Sequence, residues 1–283
     1  SRGLGDVYKR QVVKSNVIYN LDGVNVAITS DHYPLYCDFK KPTGLEEYPK
    51  AEGDLRIGNY FLTYCKGTDG VIDYDRTGRI IAKMNADIVC LQGLDKETER
   101  SEGIDQLNVL AQKANMYDYF AKAIDYKGGE FGVGILTKEE PVSVDRYQMA
   151  GKSEMRAAMV VEYEKFVVAS TNFDTDMAKR IEALQTLETK LSAYNKPAFL
   201  LGYFNEGDLE SEFFQMVKSN WNLLSADKST EVSGKKRRLD FIVSLKSHNV
   251  NVTQADVIES LSGVDVTVAS THYPLFCDFS GLK

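Results

Sequence analysis

Residues 74–93 read YDRTGRIIAKMNADIVCLQG, and the apolar pattern of this stretch decides the fold class. Within YDRTGRIIAKMNA (74–86), Ile80, Ile81 and Met84 recur at helical spacing. ADIVCLQ (86–92) then runs apolar without alternation, the pattern of a short strand buried on both faces. A helix leading straight into a buried strand is the repeating unit of α/β domains. Upstream, LRIGNYFLTYC (55–65) is rich in β-branched and aromatic residues and reads as a strand. Downstream, a helix is expected over about 103–116, with strands near 131–137, 156–162 and 165–171. Residues 176–194 carry Ile181, Leu184, Leu187 and Leu191, one stripe of a long helix. KPAFLLGYF (196–204), RLDFIVSL (238–245) and VDVTVAS (264–270) read as the last strands, with a helix at about 209–219 among them. The expectation is an α/β fold of two mixed β-sheets packed face to face with helices outside, a four-layer sandwich.

The chain has 283 residues, 43% hydrophobic and 27% charged, which is globular composition and room for one large α/β domain. No apolar run approaches the roughly 20 residues of a membrane span. The net charge is −7, and the one basic cluster, Lys235-Lys236-Arg237-Arg238, reads as a solvated turn. A duplex-binding surface must neutralise several phosphates, so nucleic acid is disfavoured as a partner. Cys37, Cys65, Cys90 and Cys277 sit in apolar strand-like segments without CxxC spacing, which makes them buried small hydrophobes rather than disulfide or zinc ligands. Asn251-Val-Thr spells a glycosylation sequon, a triplet common by chance.

The chain also repeats itself. VIYNLDGVNVAITSDHYPLYCDF (17–39) and VIESLSGVDVTVASTHYPLFCDF (257–279) are identical at 14 of 23 positions, at an offset of 240 without a gap. Residues 12–39 therefore read as the tail of an upstream copy, 40–54 as a Pro/Gly-rich linker, and 55–280 as a complete copy of the same domain. The first eleven residues, SRGLGDVYKRQ, lack signal-peptide character. They match a translated sequencing adapter, whose mosaic end GATGTGTATAAGAGACAG reads D-V-Y-K-R-Q, and are left out of fold reasoning. Leaving them out takes the net charge from −7 to −9.

Five motifs in order, ADIVCLQ, FGVGILTK, LLGYFN, RLDFIVS and the terminal STHYP, carry a resemblance to the endonuclease/exonuclease/phosphatase family of metal-dependent phosphodiesterases. It covers essentially all of residues 55–279. The resemblance implies a first strand ending in a metal-supporting Asn, a metal-binding Glu after Leu-Gln, and then Thr-His, Gly-Asp-Phe-Asn, Asp-Tyr-Ile and Ser-Asp-His. It also implies Mg or Mn as cofactor in active members. Carried over position by position, the supporting Asn is Phe61, the Glu is Gly93, and the His of Thr-His is Asn172. The Asp of Gly-Asp-Phe-Asn is Tyr203, and the Asp of Ser-Asp-His is Thr271. Asn205, Asp240, His272 and the outer Gln92 remain, and the upstream copy keeps Asp31-His32.

A hard dication needs carboxylate oxygens near 2.1 Å, and a water attacking phosphorus needs an anionic or metal-bound activator. With the Glu and the Asp replaced together, residues 55–280 are expected to bind no cofactor and to be catalytically inactive. They would act as a binding or structural module beside an active phosphodiesterase domain. Asn205 then reads as a turn residue, and His272 as a core histidine oriented by Asp240. The alternative is an active metal-dependent phosphoester hydrolase with a rearranged site, for which Glu130, Asp174 and Asp176 are the candidate carboxylates. A third reading has 17–39 replace 257–279 and bring Asp31 to the site, but Tyr36 fits this core less well than Phe276, so 257–279 is expected to hold the position. Expected partners are the upstream tandem domain and a small phosphoester or protein ligand.

Overall fold

A computed structural model describes residues 11–18, 32, 35–40 and 47–283 of the chain. Residues 1–10 and Asp31 lie outside the described residues, as do 41–46 of the linker. The chain divides into two units, Ser1–Pro49 and Lys50–Lys283.

In the first unit, β1 (Gln11–Val17) and β2 (Leu35–Lys40) form an antiparallel two-stranded sheet. In the second, the alternation read from the sequence is present. Strands β3 (Leu55–Phe61), β4 (Ile88–Lys96), β5 (Tyr117–Tyr126) and β6 (Gly129–Thr137) join β13 (Asn251–Val257) and β14 (Leu275–Ser280) in one sheet, ordered β13-β14-β3-β4-β6-β5. The other sheet is ordered β11-β12-β10-β9-β8-β7. It is built from β7 (Ser143–Met149), β8 (Arg156–Glu162), β9 (Val167–Asn172), β10 (Ala198–Tyr203), β11 (Trp221–Leu223) and β12 (Asp240–Leu245). Both sheets are mixed: β3 runs parallel to β4 and β9 to β10, while the other pairings are antiparallel.

Between the sheets, Ile57, Cys90, Ile135, Met159, Phe199, Ile242 and Cys277 interdigitate in one core. Cys65, Cys90 and Cys277 are free and buried. Helices α1 (Tyr74–Met84) and α2 (Gln106–Ala114) bury Ile80, Ile81, Met84, Leu107 and Leu110. A Cβ on Gly134 of β6 would lie 2.7 Å from the Leu107 side chain, so the missing side chain is what lets α2 approach that sheet. On the other side, α3 (Met177–Leu191) and α4 (Glu212–Asn220) pack Leu184, Leu187, Phe213 and Phe214 with Leu200, Phe204 and Phe241 in a second cluster. The layers are thus helix, sheet, sheet, helix. No helix among the described residues is long and apolar enough to cross a membrane.

The segment 264–270 is not a strand. Asp265 accepts the Thr267 N–H at 3.0 Å and caps a four-residue helix, α5 (Val266–Ala269), and the strand is β14, six residues further on. The β-branched run VDVTV favoured a strand, but an Asx cap at its head decided the local conformation. The first strand likewise ends at Phe61 rather than at residue 65. Thr63, Tyr64 and Cys65 follow with φ of 46°, 48° and 59°, a left-handed turn that L-residues adopt only at a cost. Lys50 to Asp54, which composition places in the linker, are held by the domain: the Lys50 ammonium lies 2.7 Å from Asp87.

The repeat seen in the sequence recurs in the strand register. In the β1–β2 hairpin Val12 faces Phe39 and Lys14 faces Asp38, with the register slipping at Val13. In the β13–β14 hairpin Val252 faces Phe279 and Gln254 faces Asp278, with the slip at Thr253. Every pair is shifted by the same 240 residues. β14, not β2, takes the place beside β3.

Candidate functional site

The ends of six strands and loops bring the sequence-singled residues together at one end of the sandwich. Phe61 closes β3 and lies in register with Gln92 of the neighbouring parallel strand. Tyr203 closes β10 with Asn172 of β9 on one side and Asp240 of β12 on the other. Directly opposed residues of paired strands project to the same face, so these three side chains share a face. The loop after α5 supplies Thr271 and His272.

Three rings fill the centre. Phe61 and Tyr203 have centroids 4.6 Å apart, and each lies 4.8 Å from the His272 imidazole. Tilted and edge-on contacts at this separation are favourable ring packing. Gly93 is a bulge residue in β4 with φ +73°, and a Cβ there would meet the Thr63 nitrogen at 3.3 Å and the Phe61 ring at 3.4 Å. The left-handed turn at 63–65 therefore sits against Gly93. It also brings the Thr63 hydroxyl to 3.0 Å from that of Thr271.

Behind the rings, His272 Nδ1 lies 2.6 Å from Asp240 Oδ2, with both residues buried. Burial by itself would lower the imidazole's pKa, but the Asp240 charge and hydrogen bond outweigh it and the net displacement is upward. Asp240 takes its place because the Thr230 hydroxyl accepts its N–H at 3.2 Å, while Ser270 Oγ accepts the His272 N–H at 3.3 Å. Burial and then the Asp240 charge push the Tyr203 phenol up to about 12. At neutral pH its oxygen is a neutral hydroxyl, not an anion able to replace a carboxylate.

The raised pKa of His272 gives a signed pH dependence. The folded state favours the protonated ring, so this pair's stabilisation is complete below the unfolded value of about 6.5 and is lost as pH rises through the higher folded value. Asp240→Asn should lower the His272 titration midpoint measured by NMR and remove that segment of the stability–pH curve. An unchanged midpoint would show that Asp240 does not set it.

Other sequence-singled residues are committed elsewhere. Asn205 has φ 56° and donates its side-chain amide to the Phe173 carbonyl at 2.7 Å, locking the turn after β10. Gln92 donates to Asn59 Oδ1 at 2.8 Å and to Ser170 Oγ at 3.2 Å within the inter-sheet layer. Asp174 accepts Arg156 Nε at 3.1 Å and the Asp176 N–H at 2.8 Å. Burial would raise its pKa, and these bonds outweigh it and hold it low. Asp176 caps α3 and pairs with Lys152 at 3.1 Å, and Glu130 pairs with Lys122 at 3.4 Å. His32, of the first unit, is exposed.

Residues that sequence reasoning passed over complete the rim. Glu231 forms an isolated bridge with His272 and a two-pronged pair with Arg237, at 2.7 Å for each prong, which holds the Glu231 carboxyl down to about 2. Arg238 is not a solvated cation. It donates to the Ser225 carbonyl at 2.6 Å and stacks over Phe241 at 4.6 Å. Charge counting along KKRR carried no signal of this, because the pairing partners are 6 and 13 residues away.

A divalent cation does not fit these residues. Asp240 is bonded to His272 through Oδ2 and leaves Oδ1 without a hydrogen-bond partner, Glu231 at the rim is held by Arg237, and the unpartnered oxygens of Gln92 and Asn172 are neutral amides. Two charges taken out of water need more compensation than one shared carboxylate supplies. Among the described residues no group of three or more His, Cys, Asp or Glu is arranged to hold a metal.

Comparison with known proteins agrees with the architecture. No curated protein matches the sequence. Among solved structures, an endonuclease/exonuclease/phosphatase from Beutenbergia cavernae DSM 12333 superposes with a TM-score of 0.70 at 19% identity, covering 82% of this chain and 73% of that one. A mannosyl-6-phosphatase from Bacteroides thetaiotaomicron VPI-5482 gives 0.63 at 15% identity, covering 80% and 99%. The human Nocturnin catalytic domain with bound sulfate anion gives 0.60 at 18%, covering 81% and 93%. These likenesses are of fold. The sequence profile described as the Endonuclease/Exonuclease/phosphatase family matches residues 59–262. On that match, extending over most of the chain, the protein belongs to the endonuclease/exonuclease/phosphatase family.

Proposed function

We propose that residues 55–280 are a catalytically silent member of this family, serving as a binding or structural module beside a second copy of the same domain. The observation that carries the reading is the packed triad of Phe61, Tyr203 and His272, with centroids 4.6–4.8 Å apart, where the family's chemistry needs a cation and a water. Around it, Thr63 with Thr271, Glu231 with Arg237 and Asp174 with Arg156 direct polar groups at one another. The second copy is supported by the β1–β2 hairpin, which reproduces the register and bulge of β13–β14 residue for residue. A strand equivalent to β3 is what such a hairpin completes, since β14 pairs with β3 along Leu275–Phe279.

The buried Asp240–His272 pair favours a second reading, a hydrolase with a rearranged site. One experiment separates the two. Hydrolysis of bis-(p-nitrophenyl) phosphate with Mg²⁺ or Mn²⁺ is expected at background, and calorimetry should show no one-to-one metal site tighter than about millimolar, the range of weak extracellular cation sites. Metal-dependent turnover abolished by His272→Ala would establish the hydrolase and end the silent-module reading.

A further inference from the structure

The opposite end of the sandwich holds a cavity of about 470 Å³. It lies where β3 and β4 begin, where β6 ends, and beside the turn joining β8 to β9. Its floor is core. Leu55, Ile88, Tyr163 and Phe166 line it and belong to the inter-sheet cluster, and Leu282 packs against them. Tyr163 and Phe166 stack with centroids 4.8 Å apart and planes at 25°, forming a flat apolar wall.

The rim is cationic. Asp87 receives three ammonium groups, Lys50 at 2.7 Å, Lys283 at 3.1 Å and Lys138 at 3.5 Å, besides the Arg56 N–H at 2.8 Å. A fourth lysine, Lys165, donates to the Lys283 carbonyl. One carboxylate cannot neutralise three ammoniums. Glu139 and Glu164 add two exposed carboxylates at the mouth. Tyr163 adds an independent sign. Its residue is 6% exposed, and its hydroxyl makes no close hydrogen bond. A buried hydroxyl without a partner is costly, and an acceptor brought into the cavity would remove that cost.

We propose that this cavity binds a monocarboxylate with an apolar body. The body lies on the Tyr163–Phe166 wall and Leu282, and the carboxylate accepts from the Tyr163 hydroxyl and meets Lys138 and Lys165. The volume is within the usual range for small-molecule sites, roughly 300–1,000 Å³. The lysines exclude a cationic ligand, and the orphan hydroxyl gives a carboxylate an advantage over a hydrocarbon.

The test uses the whole chain and decanoate, with decyltrimethylammonium as a probe of equal apolar length and opposite charge, both below their micelle concentrations. Decanoate should bind saturably, one to one, while the cation does not. Lys138→Glu should weaken decanoate about fivefold by removing one charge and adding its opposite. Tyr163→Phe should weaken it about three- to tenfold, the value of one hydrogen bond, and leave the melting temperature unchanged or higher. Equal binding of the two probes, no saturation by decanoate, or affinities indifferent to both substitutions would overturn the proposal. So would a lower melting temperature for Tyr163→Phe, which would show that the hydroxyl already has a partner.

Discussion

Gly93→Glu, the substitution that returns a carboxylate to the family's metal-binding position, should destabilise the domain by about 3–5 kcal/mol and confer no metal binding. Three effects act together. The backbone at Gly93 has φ +73°, and forcing an L-residue into that region costs about 1 kcal/mol. The new Cβ would then lie 3.3 Å from the Thr63 nitrogen and 3.4 Å from the Phe61 ring, so the neighbours must move. Finally, the carboxyl would be buried against an aromatic ring, and it must either protonate or remain charged without compensation, at several kcal/mol. With a urea slope of about 1–3 kcal/mol/M, the unfolding midpoint should fall by more than about 1 M. Adding Phe61→Asn removes the ring that crowds the site. The double variant should therefore lose less than the two singles together, with a coupling of about 0.5–3 kcal/mol. If Gly93→Glu proved neutral, or if Mg²⁺ raised its midpoint, the site would have room and ligands that the ring packing denies it.

Most of the fold was legible because its elements bury one face with a clear period. The β8 strand and the α1 helix fall within a residue or two of the expected bounds, and the site positions arrive in order at strand ends. What stayed hidden has physical causes. β13 reads NVTQADV, half polar because it lies at a sheet edge, and no apolar run marked it. The helix α5 was masked by β-branched residues whose preference a single Asp265 cap overrode. The left-handed turn at Thr63–Cys65 contains no glycine, the usual sign of positive φ. At the site, the identities at Phe61, Gly93 and Tyr203 were plain from the sequence. That Phe61, Tyr203 and His272 would pack on one another, and that Glu231 would pair with Arg237 at the rim, depends on distances no spacing rule encodes.

The second large effect separates the two hairpins. Asp278→Ala should destabilise the domain by about 3–5 kcal/mol, whereas Asp38→Ala should change it by less than about 0.5 kcal/mol. Arg56 is fully buried and grips Asp278 through two bonds of 2.7 Å, with a third from Nη1 to the Met84 carbonyl at 3.0 Å. Its guanidinium also lies 3.9 Å from the Phe276 ring centroid. Removing Asp278 leaves the guanidinium buried without its counter-charge, and that desolvation, rather than the worth of the pair itself, sets the size of the loss. Replacing Arg56 and Asp278 together with Met and Leu should accordingly cost far less than Asp278→Ala alone. Asp38 holds the register position of Asp278 in the repeated hairpin, opposite Lys14 as Asp278 is opposite Gln254. Both hairpins could in principle supply the carboxylate that Arg56 requires, but β14 is the strand paired with β3. Tethering discriminates weakly, because closure cost varies only with the logarithm of connector length, so side-chain fit must choose. The single tryptophan, Trp221, is buried beside α4 and reports on the unfolding of this domain alone. Urea curves followed by its fluorescence should superimpose for the parent and Asp38→Ala and shift far left for Asp278→Ala. Equal losses in both variants would mean that the hairpins exchange at the β3 edge.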